Sequence, residues 1–109
     1  MRTSSNVHTA IVAPQYTNLK LYNDVYVVTI SLGISRKVYE LLFGMGINAK
    51  PIEYRGRFYL HYESSYGYST SFAEAYEDAA WILRQMKVAI REAKMQLLQQ
   101  EIECIKYAE

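Results

Sequence analysis

The chain has too few cysteines for a disulfide, since Cys104 is the only one among its 109 residues. A single cysteine excludes an intramolecular disulfide and a cysteine-based zinc cluster, and it fits a reducing compartment. The longest apolar run, Val25–Leu32, is too short to span a membrane. Residues 1–7 also lack the apolar core of a signal peptide. The sequence therefore predicts a cytoplasmic protein with no membrane contact.

Glycine-rich phosphate loops, nucleophile elbows and paired metal-binding histidines are also missing from the sequence. His61, with Glu63 and Arg57 on the same side of a predicted strand, could form an acid–base group of the kind a ribonuclease uses. Exposed strands commonly carry such charges, so we expect no enzyme, no cofactor and no metal. The net charge is only +1, and any nucleic-acid binding would therefore depend on local basic patches.

The length fits one domain, residues 1–109. We divide it into an N-terminal extension with a hairpin (1–24), a core (25–83) and a helical extension (84–109). Eleven residues are tyrosine, whose flat ring and polar tip suit contact surfaces. The composition thus favours a binding protein.

β-Branched and alternating segments predict the strands. They are His8–Ala13, Leu19–Tyr22, Val25–Leu32, Ile47–Tyr54 and Arg57–Glu63. Asn23-Asp24 and Arg55-Gly56 are predicted tight turns. Val25–Leu32 is apolar on both faces, as central strands are. Pro51 places its strand at a sheet edge, because proline cannot donate to a β-ladder.

Two helices complete the predicted fold. Ser35 is the expected N-cap of a short helix from Arg36 to Phe43. A long helix begins at Ser71 or Phe72, where Ser71 and Glu74 have the spacing of a capping box.

These elements predict an α+β protein. It has a ferredoxin-like antiparallel sheet, one short helix and one long C-terminal helix, in the order strand, helix, strand, strand, helix from Val25. The fourth strand of such a sheet has two candidates, residues 102–108 and residues 8–13.

The long helix carries two apolar stripes. The first can dock on a sheet and consists of Phe72, Ala75, Ala79, Leu83, Met86, Ile90, Ala93 and Leu97. The second lies nearly opposite and consists of Trp81, Val88, Met95 and Ile102. A helix of about 36 residues is roughly 54 Å long, so we expect an overhang and a homodimer interface on the second stripe. The alternative is a break near Gln99–Gln100, with the last residues folding back.

A basic row shares one face of the same helix: Arg84, Lys87, Arg91 and Lys94. Such a row can contact phosphates as a secondary nucleic-acid site. The alternative is the solvated face of an amphipathic helix.

The segments Arg55–Tyr62 and Val25–Val27 resemble motifs of the RNA-recognition motif family. Arg55-Gly56-Arg57-Phe58-Tyr59-Leu60-His61-Tyr62 is similar to the family's octamer and matches it at Arg55, Gly56, Tyr59 and Tyr62. Val25-Tyr26-Val27 is similar to the shorter motif on the family's first strand. The resemblance covers about Val25 to Leu83. It implies a sheet whose open face binds single-stranded nucleic acid.

The resemblance also implies roles for single residues. Phe58, Leu60 and Tyr62 would point to the core. Tyr59 and Tyr26 would lie side by side on the open face and stack on bases. Arg55, Arg57 and His61 would flank them. Arg57 stands where the family has another stacking aromatic residue.

Two alternatives remain at this point. Tyr26 and Tyr59 can be aromatic residues that pack under another element. The module can also bind a protein partner, as a regulator or inhibitor, through the sheet face or the Trp81 stripe.

Overall fold

The elements of the chain match the predicted α+β class. A computed structural model describes residues 9–13, 17–45 and 47–108. Its strands are β1 (Thr9–Ala13), β2 (Thr17–Tyr22), β3 (Val25–Ile34), β4 (Lys50–Tyr54) and β5 (Arg57–Ser65), and its helices are α1 (Arg36–Leu42) and α2 (Phe72–Ala108). The short helix and the long C-terminal helix are thus confirmed. His8, assigned to the first strand from the sequence, lies outside the described residues.

The strands form one antiparallel sheet in the order β1-β2-β3-β5-β4. β5 lies between β3 and β4, so β3, α1 and β4 make a split β-α-β unit. β3 is the central strand and β4 is at an edge, as Val25–Leu32 and Pro51 predict.

The fourth-strand prediction was wrong, because β2 takes the place beside β3. Asn23 and Asp24 have φ values of 50° and 67°. Positive φ at both central residues gives the turn that matches the twist of a hairpin. β2 therefore folds directly back on β3 and occupies that position, while β1 pairs with the other edge of β2.

Both helices cover one face of the sheet and enclose the core there. β3 contributes Val28, Ile30 and Leu32, and β5 contributes Leu60, all at most 2% exposed. Buried side chains on α2 include Ala75, Ala79, Leu83, Met86, Ala89 and Ala93. The many alanines allow α2 to lie close to the sheet, while α1 adds Val38 and Leu42.

α2 begins at the predicted capping box and continues without a break. The Glu74 N–H donates to Ser71 Oγ at 3.1 Å, and the Ser71 N–H donates to Glu74 Oε1 at 2.9 Å. Hydrogen bonding of the Glu74 carboxylate to Ser71, above all to its backbone N–H, lowers the pKa of Glu74, because it favours the charged carboxylate. The helix contains 37 residues, so the break near Gln99–Gln100 is wrong and the predicted overhang is confirmed. The molecule is consequently 72 Å long.

Tyr66 ties the segment after β5 to α2. Its hydroxyl donates to Asp78 Oδ2, and its N–H donates to the Tyr26 carbonyl at 2.9 Å. Burial and the neighbouring Asp78 carboxylate raise the pKa of Tyr66 above its ordinary value, because both disfavour the phenolate.

We expect Tyr66→Phe to lower the free energy of unfolding at pH 7 by about 1 kcal/mol, the usual net value of one hydrogen bond. Because the folded pKa lies above the unfolded value of about 10, this stabilisation is complete below that value and is lost as the pH rises from there through the folded pKa. Urea denaturation at pH 7 and at about pH 11 measures the difference. Tyr68→Phe, at a residue 81% exposed, is the control. A difference that grows with pH would contradict the assignment.

Candidate nucleic-acid interface

The face of the sheet opposite the helices, here called the open face, carries the candidate site. Strand register defines it: Gly33, Tyr59 and Ile52 lie in one row, and Ser31, His61 and Lys50 lie in the next. Both helices pack on the other side of the sheet. Within residues 17–45 and 47–108, the open face is therefore not covered by a helix, although Tyr59 itself is half-buried.

Tyr59 occupies the position on the open face that its strand pattern predicts. Its neighbours Leu60 and Phe58 point to the helix side, where Leu60 is fully buried and the Phe58 ring meets the Tyr39 ring of α1 at 4.6 Å. Tyr59 is paired with Gly33 on β3. Glycine has no side chain, so Gly33 leaves space beside the half-buried Tyr59.

His61 is held in place on the same face. Its Nδ1 lies 2.6 Å from Ser31 Oγ, and its Nε2 lies 3.5 Å from Glu63 Oε1. His61 thus has Glu63 on one side and Ser31 on the other, and Arg57 is not among its hydrogen-bond or ion-pair partners in the described part of the chain. Fixed between two polar neighbours, the imidazole presents a defined ring position next to Tyr59.

Tyr26 does not lie on the open face, and this part of the prediction was wrong. Tyr26 pairs with Leu21 and shares the helix-facing side of β3 with Val28. Its ring meets that of Phe72 at the start of α2, with 5.7 Å between centroids. The phase of β3 is set by burial of Val28, Ile30 and Leu32, so Val25 and Val27 take the open face instead.

Four further residues on the open face were missed: Lys20, Tyr22, Lys50 and Tyr54. Tyr22 and Tyr54 are 59% and 58% exposed. Lys20 Nζ lies 5.9 Å from the centre of the Tyr22 ring, and Arg55 Cζ lies 5.1 Å from that of Tyr54. The alternation of β2 and β4 contains the signal, but strand register is needed to place both on the same face as Tyr59.

The basic row of α2 is divided between two locations. Arg84, Lys87 and Arg91 are exposed along a helix that packs on the opposite side of the sheet from Tyr59. Lys94 instead lines a groove of about 600 Å³ with Arg36, Arg57 and Tyr59 at the end of the sheet. Lys94 therefore lies at the end of the sheet, where this groove also includes Arg57 and Tyr59, whereas the groove includes none of the other three cations.

The second apolar stripe of α2 is largely exposed, with only Val88 half-buried. Trp81, Met95 and Ile102 are at least 50% exposed. Trp81 and Val88 also line a groove of about 330 Å³ together with Ile47 and Ala49.

Comparisons of the chain with protein-family models, characterised proteins and solved structures find no match. Among the residues that the structure describes, no three His, Cys, Asp or Glu side chains group together to hold a metal ion. Nor does any helix in this part of the chain combine the length and apolar character needed to cross a bilayer.

Proposed function

We propose that the protein is a small, non-catalytic, cytoplasmic module that binds single-stranded nucleic acid on its open face. One observation carries the proposal: Tyr22, Tyr54 and Tyr59 share this face with Lys20, Lys50 and Arg57. Aromatic rings interleaved with cations are the general means by which sheets bind unpaired bases and their phosphates. The resemblance of Arg55–Tyr62 to the RNA-recognition motif octamer supports the same use of Tyr59.

Charge on the open face supports an anionic ligand. Lys20 and Lys50 are exposed, and Arg55 and Arg57 lie at the β4–β5 turn. Among the described residues of this surface, Glu63 is the acidic one, and its carboxylate faces His61. The local charge is therefore positive although the chain is nearly neutral overall.

The arrangement favours a single strand over a duplex. The tyrosines lie on three different strands, β2, β4 and β5, across an extended sheet. Bases can stack on such rings only when they are unpaired and splayed outward. Stacking on a ring tolerates any base, so we expect weak sequence preference.

Fluorescence anisotropy of labelled single-stranded RNA and DNA tests the proposal. Tyr59→Ala is expected to weaken binding by about 1–3 kcal/mol, the value of one stacked base. Tyr68→Ala removes an exposed tyrosine from outside the sheet and should leave affinity unchanged. Absence of binding at low salt, or equal losses in both variants, would contradict the proposal.

A second candidate function is protein binding through the groove beside Trp81. Its apolar wall of Ile47, Ala49 and Val88 suits a hydrophobic side chain of a partner. Trp81 is the only tryptophan, so its fluorescence reports on this groove. A ligand in the groove should shift the emission of Trp81, whereas nucleic acid on the open face should leave it unchanged.

A further inference from the structure

The C-terminal part of α2 projects beyond the sheet and exposes apolar side chains. Leu97 is half-buried, whereas residues 98–106 are all exposed. At 1.5 Å per residue, residues 98–108 extend about 16 Å. Met95, Leu98, Ile102 and Ile105 are 52–64% exposed. So many exposed large apolar side chains on one stretch of helix indicate an interaction surface.

These residues belong to a regular seam on α2. The seam consists of Val88, Arg91, Met95, Leu98, Ile102 and Ile105, and successive members are separated alternately by three and four residues. This is the spacing with which two helices interlock in a coiled coil. The seam faces away from the core, since Ala79, Ala89 and Ala93 are the buried side of the helix.

We propose that two copies of the chain pair through the seam as an antiparallel coiled coil, centred between Met95 and Leu98. In this register Met95 faces Leu98 of the partner subunit, and Ile102 faces Arg91 of the partner subunit. Ile105 then faces Val88 of the partner subunit. The overhang of each copy covers the exposed middle of the other helix. Trp81 lies outside this register.

The seam is complementary to itself, and this indicates that its binding partner is a second copy of the chain. The two halves of the seam match each other across a twofold axis, which is the requirement for an isologous dimer. The flanking charges match as well: Lys94 lies beside Glu101 of the partner subunit, and symmetry repeats this pair. Opposite charges at such flanking positions set partner choice and orientation.

The charged residues of the seam and its flanks also determine whether the two helices run parallel or antiparallel. A parallel pair would match Glu101 with Lys106 of the partner subunit. It would also set Arg91 against Arg91 of the partner subunit inside the seam, where like charges repel. The antiparallel register avoids this contact, because each Arg91 faces an isoleucine and its long stem can cover that side chain while the charged end reaches water.

Sedimentation equilibrium over a range of protein concentrations tests the association. Wild type is expected to dimerise, and Ile102→Glu should weaken dimerisation at least tenfold. Gln100→Glu is the matched control, because it adds the same charge to an exposed residue away from the seam. Both positions are exposed in the single chain, so neither change should unfold the domain, and circular dichroism checks this. A monomeric wild type, or equal association of Ile102→Glu and wild type, would overturn the proposal.

Charge reversal and crosslinking test the direction. Lys94→Glu should weaken the dimer at least threefold, and adding Glu101→Lys should restore it. In a Cys104→Ser background, a mixture of Val88→Cys and Ile105→Cys chains should form an intermolecular disulfide under oxidation. Ile105→Cys alone should not crosslink. A disulfide formed by Ile105→Cys alone would show a parallel pair and overturn the antiparallel register.

Discussion

Replacing Leu60 by alanine is expected to lower the free energy of unfolding by about 2–5 kcal/mol. Leu60 is fully buried at the centre of β5, paired with Leu32 on one side and Pro51 on the other. The change removes apolar contacts and leaves a cavity that a tightly packed sheet cannot close. Urea denaturation followed by circular dichroism gives the difference between variant and wild type.

The adjacent residue provides the control for this result. Tyr59 precedes Leu60 on the same strand but lies on the open face, so Tyr59→Ala should cost less than about 1 kcal/mol of stability. Leu60→Ala should therefore mainly lower the stability of the fold, whereas Tyr59→Ala should mainly weaken ligand binding. If Tyr59→Ala proved as destabilising as Leu60→Ala, the assignment of the two faces of β5 would be wrong.

The same strand shows how much the sequence alone reveals. Residues 57–63 alternate between large apolar and polar side chains, and a strand with side chains on alternate faces can satisfy that pattern in only one phase. Tyr59 and His61 were therefore predicted on the open face correctly. The hairpin turn at Asn23-Asp24 and the capping box at Ser71 could also be predicted from the sequence, because each depends on residues that are close together in the chain.

For β3, unlike β5, the sequence alone does not determine which side chains lie on which face of the sheet. Val25–Leu32 is apolar at nearly every position, so either phase buries valine, isoleucine or leucine, and local sequence cannot choose between them. The choice depends on packing of Val28, Ile30 and Leu32 against helices far along the chain. Tyr26 was misplaced for this reason. Tyr22 and Tyr54 were missed because their position relative to Tyr59 depends on register across separate strands.

The continuous helix was only partly predictable. Absence of glycine and proline after Gly67 favours continuation, but exposed helical ends receive no tertiary support, and isolated helical segments are marginal in water. The sequence therefore left a break near Gln99–Gln100 open.

Affinity of the protein for single-stranded nucleic acid is expected to fall about 20-fold between 50 and 200 mM salt. Lys20, Lys50 and Arg57 are each expected to neutralise one phosphate. For single strands the logarithm of affinity falls by about 0.7 per contact for each logarithm of salt, so three contacts give a slope of about −2. Anisotropy titrations at four or more salt concentrations measure that slope. A slope near zero would contradict phosphate binding and favour a protein partner in the groove beside Trp81.

Variants separate the electrostatic contribution from stacking. Lys50→Gln should reduce the slope by about 0.7, because one phosphate contact is lost. Tyr59→Ala should lower affinity at every salt concentration and leave the slope unchanged, since stacking releases no counterions. Lys106→Gln, on the exposed end of α2, serves as the control and should change neither quantity. If instead Lys106→Gln reduced the slope as much as Lys50→Gln, phosphates would be bound along α2. That result would contradict binding on the open face.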